Sequence, residues 1–201
     1  MIENSVRIGV SFFRKYKKIE QLPYCCVPAN LQMIFNRRGI DLFSQEDIGN
    51  ALGLIIPPDV KDSFNSPEIV EEVPDTGYGT RIHMEEFGLS SAFKKWGLPL
   101  RAEFCLIDDI KDADDLKSIM HRRLEGNDDL IMCFASGAFK GEPSDTNGHV
   151  VLCSKADDEN ISFTDPGAED ITVSYDEMYR AMKYRTAKNF GGIWAITSKT
   201  P

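Results

Sequence analysis

The residues able to do chemistry in this chain are sparse: five cysteines and three histidines. Cys26 follows the loop-like Gln21-Leu22-Pro23-Tyr24 and opens a stretch in which Val27, Leu31, Ile34 and Phe35 recur at helical spacing. A thiol at a helix N-terminus feels the partial positive charge of the unpaired N–H groups, which favours the thiolate. His149 follows Asn147-Gly148 and opens the apolar run Val150-Val151-Leu152, so it stands at the mouth of a strand and can project from a rigid edge into a cleft. Asp165 ends the next β-prone run, 16 residues on (165 − 149), where a hairpin would bring it beside His149. Gln21, five residues before Cys26, could donate to an oxyanion together with the Cys26 backbone N–H. A thiol nucleophile, a proton carrier, a carboxylate that orients it and an oxyanion donor are the parts of nucleophilic acyl transfer.

Each part alone has an ordinary structural explanation. A cysteine at a helix start is often packing, a histidine before a strand is often structural, Asp165-Pro166-Gly167 is a common turn, and a single glutamine carries no signal. Their joint order and spacing carry the inference. Cys25 beside Cys26 leaves the choice of nucleophile open at this level. Cys105, Cys133 and Cys153 lie in the apolar runs EFCLI, LIMCFA and HVVLCS and read as small core hydrophobes. His121, on a helical face with polar neighbours, reads as a surface residue. His83 borders a long loop and could line a cleft.

The elements that must position these groups follow from periodicity and punctuation. A strand is expected over Val6 to Phe13, followed by the basic patch Arg14, Lys15, Lys17, Lys18, read as a solvated loop or edge. The Cys26 helix carries Pro28 in its first turn, where proline is tolerated, and ends at Gly39. Ser44 with an acidic residue three positions on marks a second helix, stopped by Gly53. Residues 57–79 hold four prolines and Thr76-Gly77-Tyr78-Gly79, and read as a long loop, a functional or mobile feature in compact domains. A helix with Phe87, Ala92, Phe93 and Trp96, a strand over 98–106 and a helix with Leu116, Ile119, Met120 and Leu124 come next. The last third is strand-rich, with runs at 130–135, 149–154, 161–164 and 193–197 and a capped helix from Ser174 through Met182. Helices gathered early and strands late argue an α+β fold. No internal repeat is present.

Composition sets the outer bounds. The 201 residues fit one domain, and 42% hydrophobic with 27% charged residues is ordinary globular usage. The net charge of −9 argues against nucleic-acid binding and would steer a basic substrate region toward the protein. No run approaches the ~18 apolar residues of a membrane span, and the basic cluster after the first apolar run is the reverse of a secretory signal. The odd cysteine count argues for a reducing compartment, and a cytoplasmic location is expected. The absence of a CxxC motif and the scarcity of histidine leave no expected metal site, and no cofactor is expected.

Gln21-x4-Cys26-Val27-Pro28-Ala29-Asn30-Leu31-Gln32-Met33, then Gly148-His149-Val150-Val151-Leu152, then Phe163-Thr164-Asp165-Pro166, resembles the papain-like cysteine peptidases. The branch most similar is the bacterial one that processes bacteriocin leader peptides (double-glycine peptidases), with its stand-alone relatives. The resemblance runs in outline from Leu22 to Pro166, and residues 57–79 match poorly. It implies a single papain-like domain over 1–201: a helical lobe over about 20–125 with the cysteine-bearing helix, an antiparallel sheet lobe over about 126–201, and a loop insertion at about 57–79. It further implies Cys26 as nucleophile, because Pro28-Ala29 then falls in register, His149 as general base and acid, Asp165 as the orienting residue and Gln21 as an oxyanion donor. Val27 stands where this branch commonly has glycine, and Gln21 lies one residue closer to the cysteine than in papain. The transporter modules that accompany leader peptidases are absent from the chain.

The expected activity is therefore a cysteine peptidase acting on a peptide or protein through a thioester on Cys26. An acyltransferase, transpeptidase or deamidase would use the same groups with another acceptor. A non-catalytic papain-like binding module would show no thiol reactivity. The 57–79 loop, if it covers the cleft, would act as a lid or plug.

Overall fold

The computed structural model describes residues 10–41, 43–74, 77–139, 142, 145, 147–184 and 191–199. Residues 6–9 of the expected first strand and Thr76 lie outside them.

The strands are β1 (Phe12–Phe13), β2 (Ile55–Ile56), β3 (Glu68–Ile69), β4 (Leu100–Leu106), β5 (Asp129–Ala135), β6 (Gly148–Ala156), β7 (Asn160–Thr164), β8 (Ile171–Ser174) and β9 (Gly192–Ser198). The helices are α1 (Cys26–Arg37), α2 (Gln45–Ala51), α3 (Leu89–Lys95), α4 (Ala113–Glu125) and α5 (Tyr175–Tyr184). Among the described residues, seven strands form one antiparallel sheet in the order β4-β9-β5-β6-β7-β8, with β1 pairing β6. The fold is α+β with a large antiparallel sheet, as the order of elements in the sequence implies.

Both faces of that sheet are covered, which explains why the β5 run is apolar without alternation. Leu130, Met132, Phe134, Val151 and Cys153 pack with Leu116 and Met120 of α4 and Met178 and Met182 of α5. Ile131, Cys133, Val150 and Leu152 pack on the other face with Val27, Leu31, Ile34 and Phe35 of α1 and Phe93 of α3. The apolar spacing that marks α1 as a helix is thus the spacing that seats it on the histidine strand.

Local chemistry sets the ends. Ser44 Oγ accepts from the Asp47 N–H at the start of α2, and Asp112 does the same from Asp115 at α4. At α5 the bonding is reciprocal: Ser174 N–H donates to Glu177 Oε2, and Glu177 N–H to Ser174 Oγ. At its far end α1 is tied to the sheet by the fully buried Asp129, which accepts from Arg37 Nε at 2.7 Å, Arg38 Nε at 2.6 Å and the Tyr16 hydroxyl at 2.7 Å. Removing one partner from such a buried pair costs about 3–5 kcal/mol, so this cluster fixes where the cysteine helix lies.

Three features differ from the sequence expectation. The sheet crosses the boundary drawn at residue 125, because β4 pairs with β9 along its length and α4 packs with α5 on the far face. Strand β8 is too short and too exposed to leave a periodic signal. Residues 57–79 are not a featureless loop: they hold a 3-10 turn at Pro58–Ser63, and β3 pairs in parallel with β2. The carboxylate of Glu46 gathers the Asn65 and Ser66 N–H groups, a tertiary anchor with no local sequence signature.

Candidate active site

Cys26 is the first residue of α1. Cys25 precedes it as the cap, and its N–H closes a turn onto the Leu22 carbonyl at 2.9 Å. Tyr24 in that turn holds a left-handed backbone (φ 61°), a conformation costing of order 1–3 kcal/mol for a non-glycine residue and typical of sites where the chain is over-determined. The turn splits the two cysteines. Cys25 is fully buried with Leu54, Ile56 and Phe64, whereas Cys26 borders a cavity of about 530 Å³.

His149 stands at the mouth of β6, opposite Phe134 of β5. Its Nε2 meets both carboxylate oxygens of Asp165 at 2.9 Å. Asp165 is held in turn by the Gly167 N–H, 2.7 Å from Oδ1, and its own N–H donates to Asp170 at 3.3 Å. With Nε2 committed to the carboxylate, Nδ1 is the ring nitrogen left to face the cavity that His149 shares with Cys26.

The electrostatics follow from this chain of contacts. Burial pushes the Cys26 thiol up, but the hydrogen bond and charge of His149, with backbone hydrogen bonds from Val150 and Val27, outweigh it and hold the thiol below its ordinary value. Burial disfavours the His149 cation, yet its bonds to Asp165 and Cys26 win and raise it to about 10. Burial raises Asp165, and the His149 contact and the Gly167 N–H bring it below the ordinary carboxylate range. These shifts favour the thiolate of Cys26 and the imidazolium of His149, with the Asp165 carboxylate beside the ring. Cys25 is the reverse: burial, then the neighbouring Cys26 and Glu46, push it up to about 12.

Gln21 lies against the Asp165 turn. Its N–H donates to the Pro166 carbonyl at 3.0 Å, and its side-chain amide packs on Gly167 so closely that a Cβ there would stand 3.1 Å from Gln21 Cδ. The amide oxygen is buried without a hydrogen-bond partner among the described residues, while the side chain borders the same cavity as Cys26 and His149. Cys26, His149 and Gln21 therefore line one cleft, and Asp165 joins them through its bonds to His149. Sequence reasoning missed Asn30, fully buried one turn along α1, whose Nδ2 donates to the Cys26 carbonyl at 2.8 Å and the Val150 carbonyl at 2.9 Å.

The fold is papain-like. The chain superposes on a candidate C39-like peptidase from Bacillus anthracis with a TM-score of 0.58 and 14% identity, over 96% of this chain and 100% of that one. It superposes on a double-glycine-motif protease from an AMS/PCAT transporter, solved in complex with the leader peptide, with a TM-score of 0.51 and 14% identity over 93% and 94% of the two chains. Neither protein-family models nor curated protein sequences give a match. At this identity the likeness establishes the papain-like fold of C39 peptidases, and what happens at the cleft rests on its own residues.

The remaining cysteines and histidines fall elsewhere or at the rim. Cys133 and Cys153 are buried in the sheet and Cys105 is half-buried on β4, and no disulfide is formed among the described residues. His83 borders the Cys26 cavity. His121 is not the surface residue its polar neighbours implied: Nε2 lies 2.9 Å from the Tyr175 hydroxyl and 3.1 Å from the Asp157 carbonyl, and its ring packs on Phe12. Among the described residues no His/Cys/Asp/Glu group could hold a metal ion, and no helix is long and apolar enough to cross a membrane.

Proposed function

We propose that the protein is a cysteine peptidase that cleaves a peptide or protein segment through a thioester on Cys26. The Cys26 thiolate attacks the scissile carbonyl while the His149 imidazolium holds the proton. The developing oxyanion is met by the Cys26 backbone N–H and the Gln21 amide. His149 then protonates the departing amine, and the acyl group stays on sulfur. In the second half, His149 takes a proton from water as the water attacks the thioester and keeps it as the acid leaves and the Cys26 thiolate is released, which restores the starting pair. Asp165 stabilises the imidazolium and fixes which ring nitrogen faces the thiol. The chain is read as one papain-like domain whose Cys26 helix and His149 strand flank the cleft, working in a reducing compartment such as the cytoplasm.

One observation carries this reading: His149 is held by the Asp165 carboxylate, 2.9 Å from Nε2, on the cavity that Cys26 and Gln21 also border. A merely structural histidine would not need a thiol whose ionisation it favours. A peptide substrate is supported by the leader peptide bound to the transporter protease of the same fold. The test is labelling with a thiol-directed electrophile at low-micromolar concentration. Cys26 should react at neutral pH, the reaction should vanish in Cys26→Ala and survive in Cys25→Ala. An unreactive Cys26 would make the fold a binding module instead.

A further inference from the structure

We infer that the cavity beyond the His149–Asp165 pair is the subsite for the residue on the departing side of the scissile bond, and that it takes a large apolar side chain. The inference rests on the peptidase reading and adds the substrate class. Two cavities meet at Gln21, Gly148 and His149. The first contains Cys26; the second, about 370 Å³, contains Asp165 and not Cys26. The acyl part of a substrate stays on Cys26, so it belongs to the first. The departing amine takes its proton from His149, so the segment attached to it runs past the imidazole toward the second.

The walls of the second cavity are aromatic. Phe134, Phe139 and Phe163 form a three-ring cluster with centroids 5.0 Å apart for Phe134–Phe139 and 6.0 Å for the other two pairs. Phe134 and Phe163 are buried and therefore rigid, while Phe139 is only half covered. Ile171 of β8 also lines it and is 37% exposed. Nothing in the thiol chemistry requires an aromatic box on the far side of the carboxylate. A concave apolar wall with a few polar groups at one end is the form of a ligand site. Apart from His149, the ionisable groups on its lining among the described residues are the carboxylates Asp165 and Glu169, which repel an acidic side chain and favour the ammonium of the released product.

The experiment compares peptides identical on the acyl side, carrying Phe, Leu, Gly or Glu at the first departing position, starting from any sequence the enzyme cleaves in a peptide library. Phe and Leu should exceed Gly in kcat/KM by about tenfold or more, the scale of burying one such side chain, with Glu below Gly. Ile171→Asp and Phe139→Ala should erase that ratio while the rate of Cys26 alkylation by iodoacetamide stays at the parent value. Ile171 carries the test if Phe139→Ala unfolds. Equal rates for Phe and Gly, or a preference that both variants leave intact, would overturn the subsite and leave the peptidase reading standing. If no peptide is cleaved, the peptidase reading fails and binding decides the subsite. Product-type peptides with a free N-terminal Phe should then bind the Cys26→Ala protein about tenfold tighter than Gly peptides, and equal affinities would overturn it.

Discussion

Asn30 on the cysteine helix donates through Nδ2 to the Val150 carbonyl of the histidine strand at 2.9 Å, and to the carbonyl of Cys26 itself at 2.8 Å. One buried amide thus fixes the first turn of α1 against the residue that follows His149. The thiol and the imidazole come from chain segments more than a hundred residues apart, and their separation is set by this bridge and by the apolar seat of α1 on β6. Catalytic geometry tolerates little slack, since a displacement of ~1 Å can cost about 100-fold in rate.

Asn30→Ala should lower kcat by ~10-fold or more with KM little changed, and lower stability by about 1–3 kcal/mol, the scale of unsatisfied buried carbonyls. Asn30→Asp, which places a carboxylate against two carbonyl oxygens, should be worse. Steady-state kinetics with the pH profile of Cys26 alkylation separates positioning from folding: loss of position raises the apparent pKa of the thiol, whereas simple destabilisation leaves it in place.

The pH dependence follows from the coupled pair. Cys26 is held below its ordinary value and His149 is raised to about 10. The thiolate–imidazolium form therefore appears as pH rises through the lowered thiol value and disappears as His149 loses its proton. kcat/KM should be bell-shaped, with its alkaline limb near pH 10 and both limbs belonging to the pair as a whole. Asp165→Asn removes the anion that raises His149, so the alkaline limb should move to lower pH and the plateau narrow. A pH–rate series on the parent and the variant reads both effects.

Cys25 and Cys26 differ in chemistry although they are neighbours. Cys25 is buried with its thiol pushed up to about 12, so it stays protonated at neutral pH. Mass spectrometry after limited iodoacetamide treatment should find the adduct on Cys26. Cys25→Ala should keep most activity at a cost of roughly 1 kcal/mol or so from the small void left in the cluster with Leu54, Ile56 and Phe64.

Gly167 offers a way to move Gln21 without touching it. A Cβ at position 167 would stand 3.1 Å from Gln21 Cδ and 3.3 Å from its amide atoms. Gly167→Ala should displace the amide and reduce kcat by up to the 100-fold typical of losing one oxyanion donor, with Cys26 alkylation unchanged. Gln21→Ala should show a similar loss, and the double variant should be little worse than either single one, as expected of two changes acting on one contact.

The catalytic candidates were legible because each carries a local signal: Cys26 at the onset of helical spacing, His149 at a strand mouth, Asp165 before a proline-glycine turn. Gln21 was legible mainly through family likeness. What seats it is tertiary, the N-terminal segment running back along the 165–170 turn through the Gln21–Pro166 bond and the Lys18–Asp170 ion pair. Asn30 gave no signal, since an asparagine inside a helix pattern reads as a polar position until the partner strand is known. His121 was misread for the same reason, its partners Asp157 and Tyr175 being 36 and 54 residues away. The anchor of Asn65 and Ser66 is Glu46, which in sequence looks like one more acid in a helix start.

The most direct test of the account is peptide hydrolysis in ¹⁸O-labelled water, analysed by mass spectrometry for the parent protein, Cys25→Ala and Cys26→Ala. The account predicts cleaved peptides whose new carboxyl termini carry ¹⁸O in the first two and no products in Cys26→Ala. Products joined to an added amine without solvent oxygen, or cleavage that persists in Cys26→Ala, would contradict it.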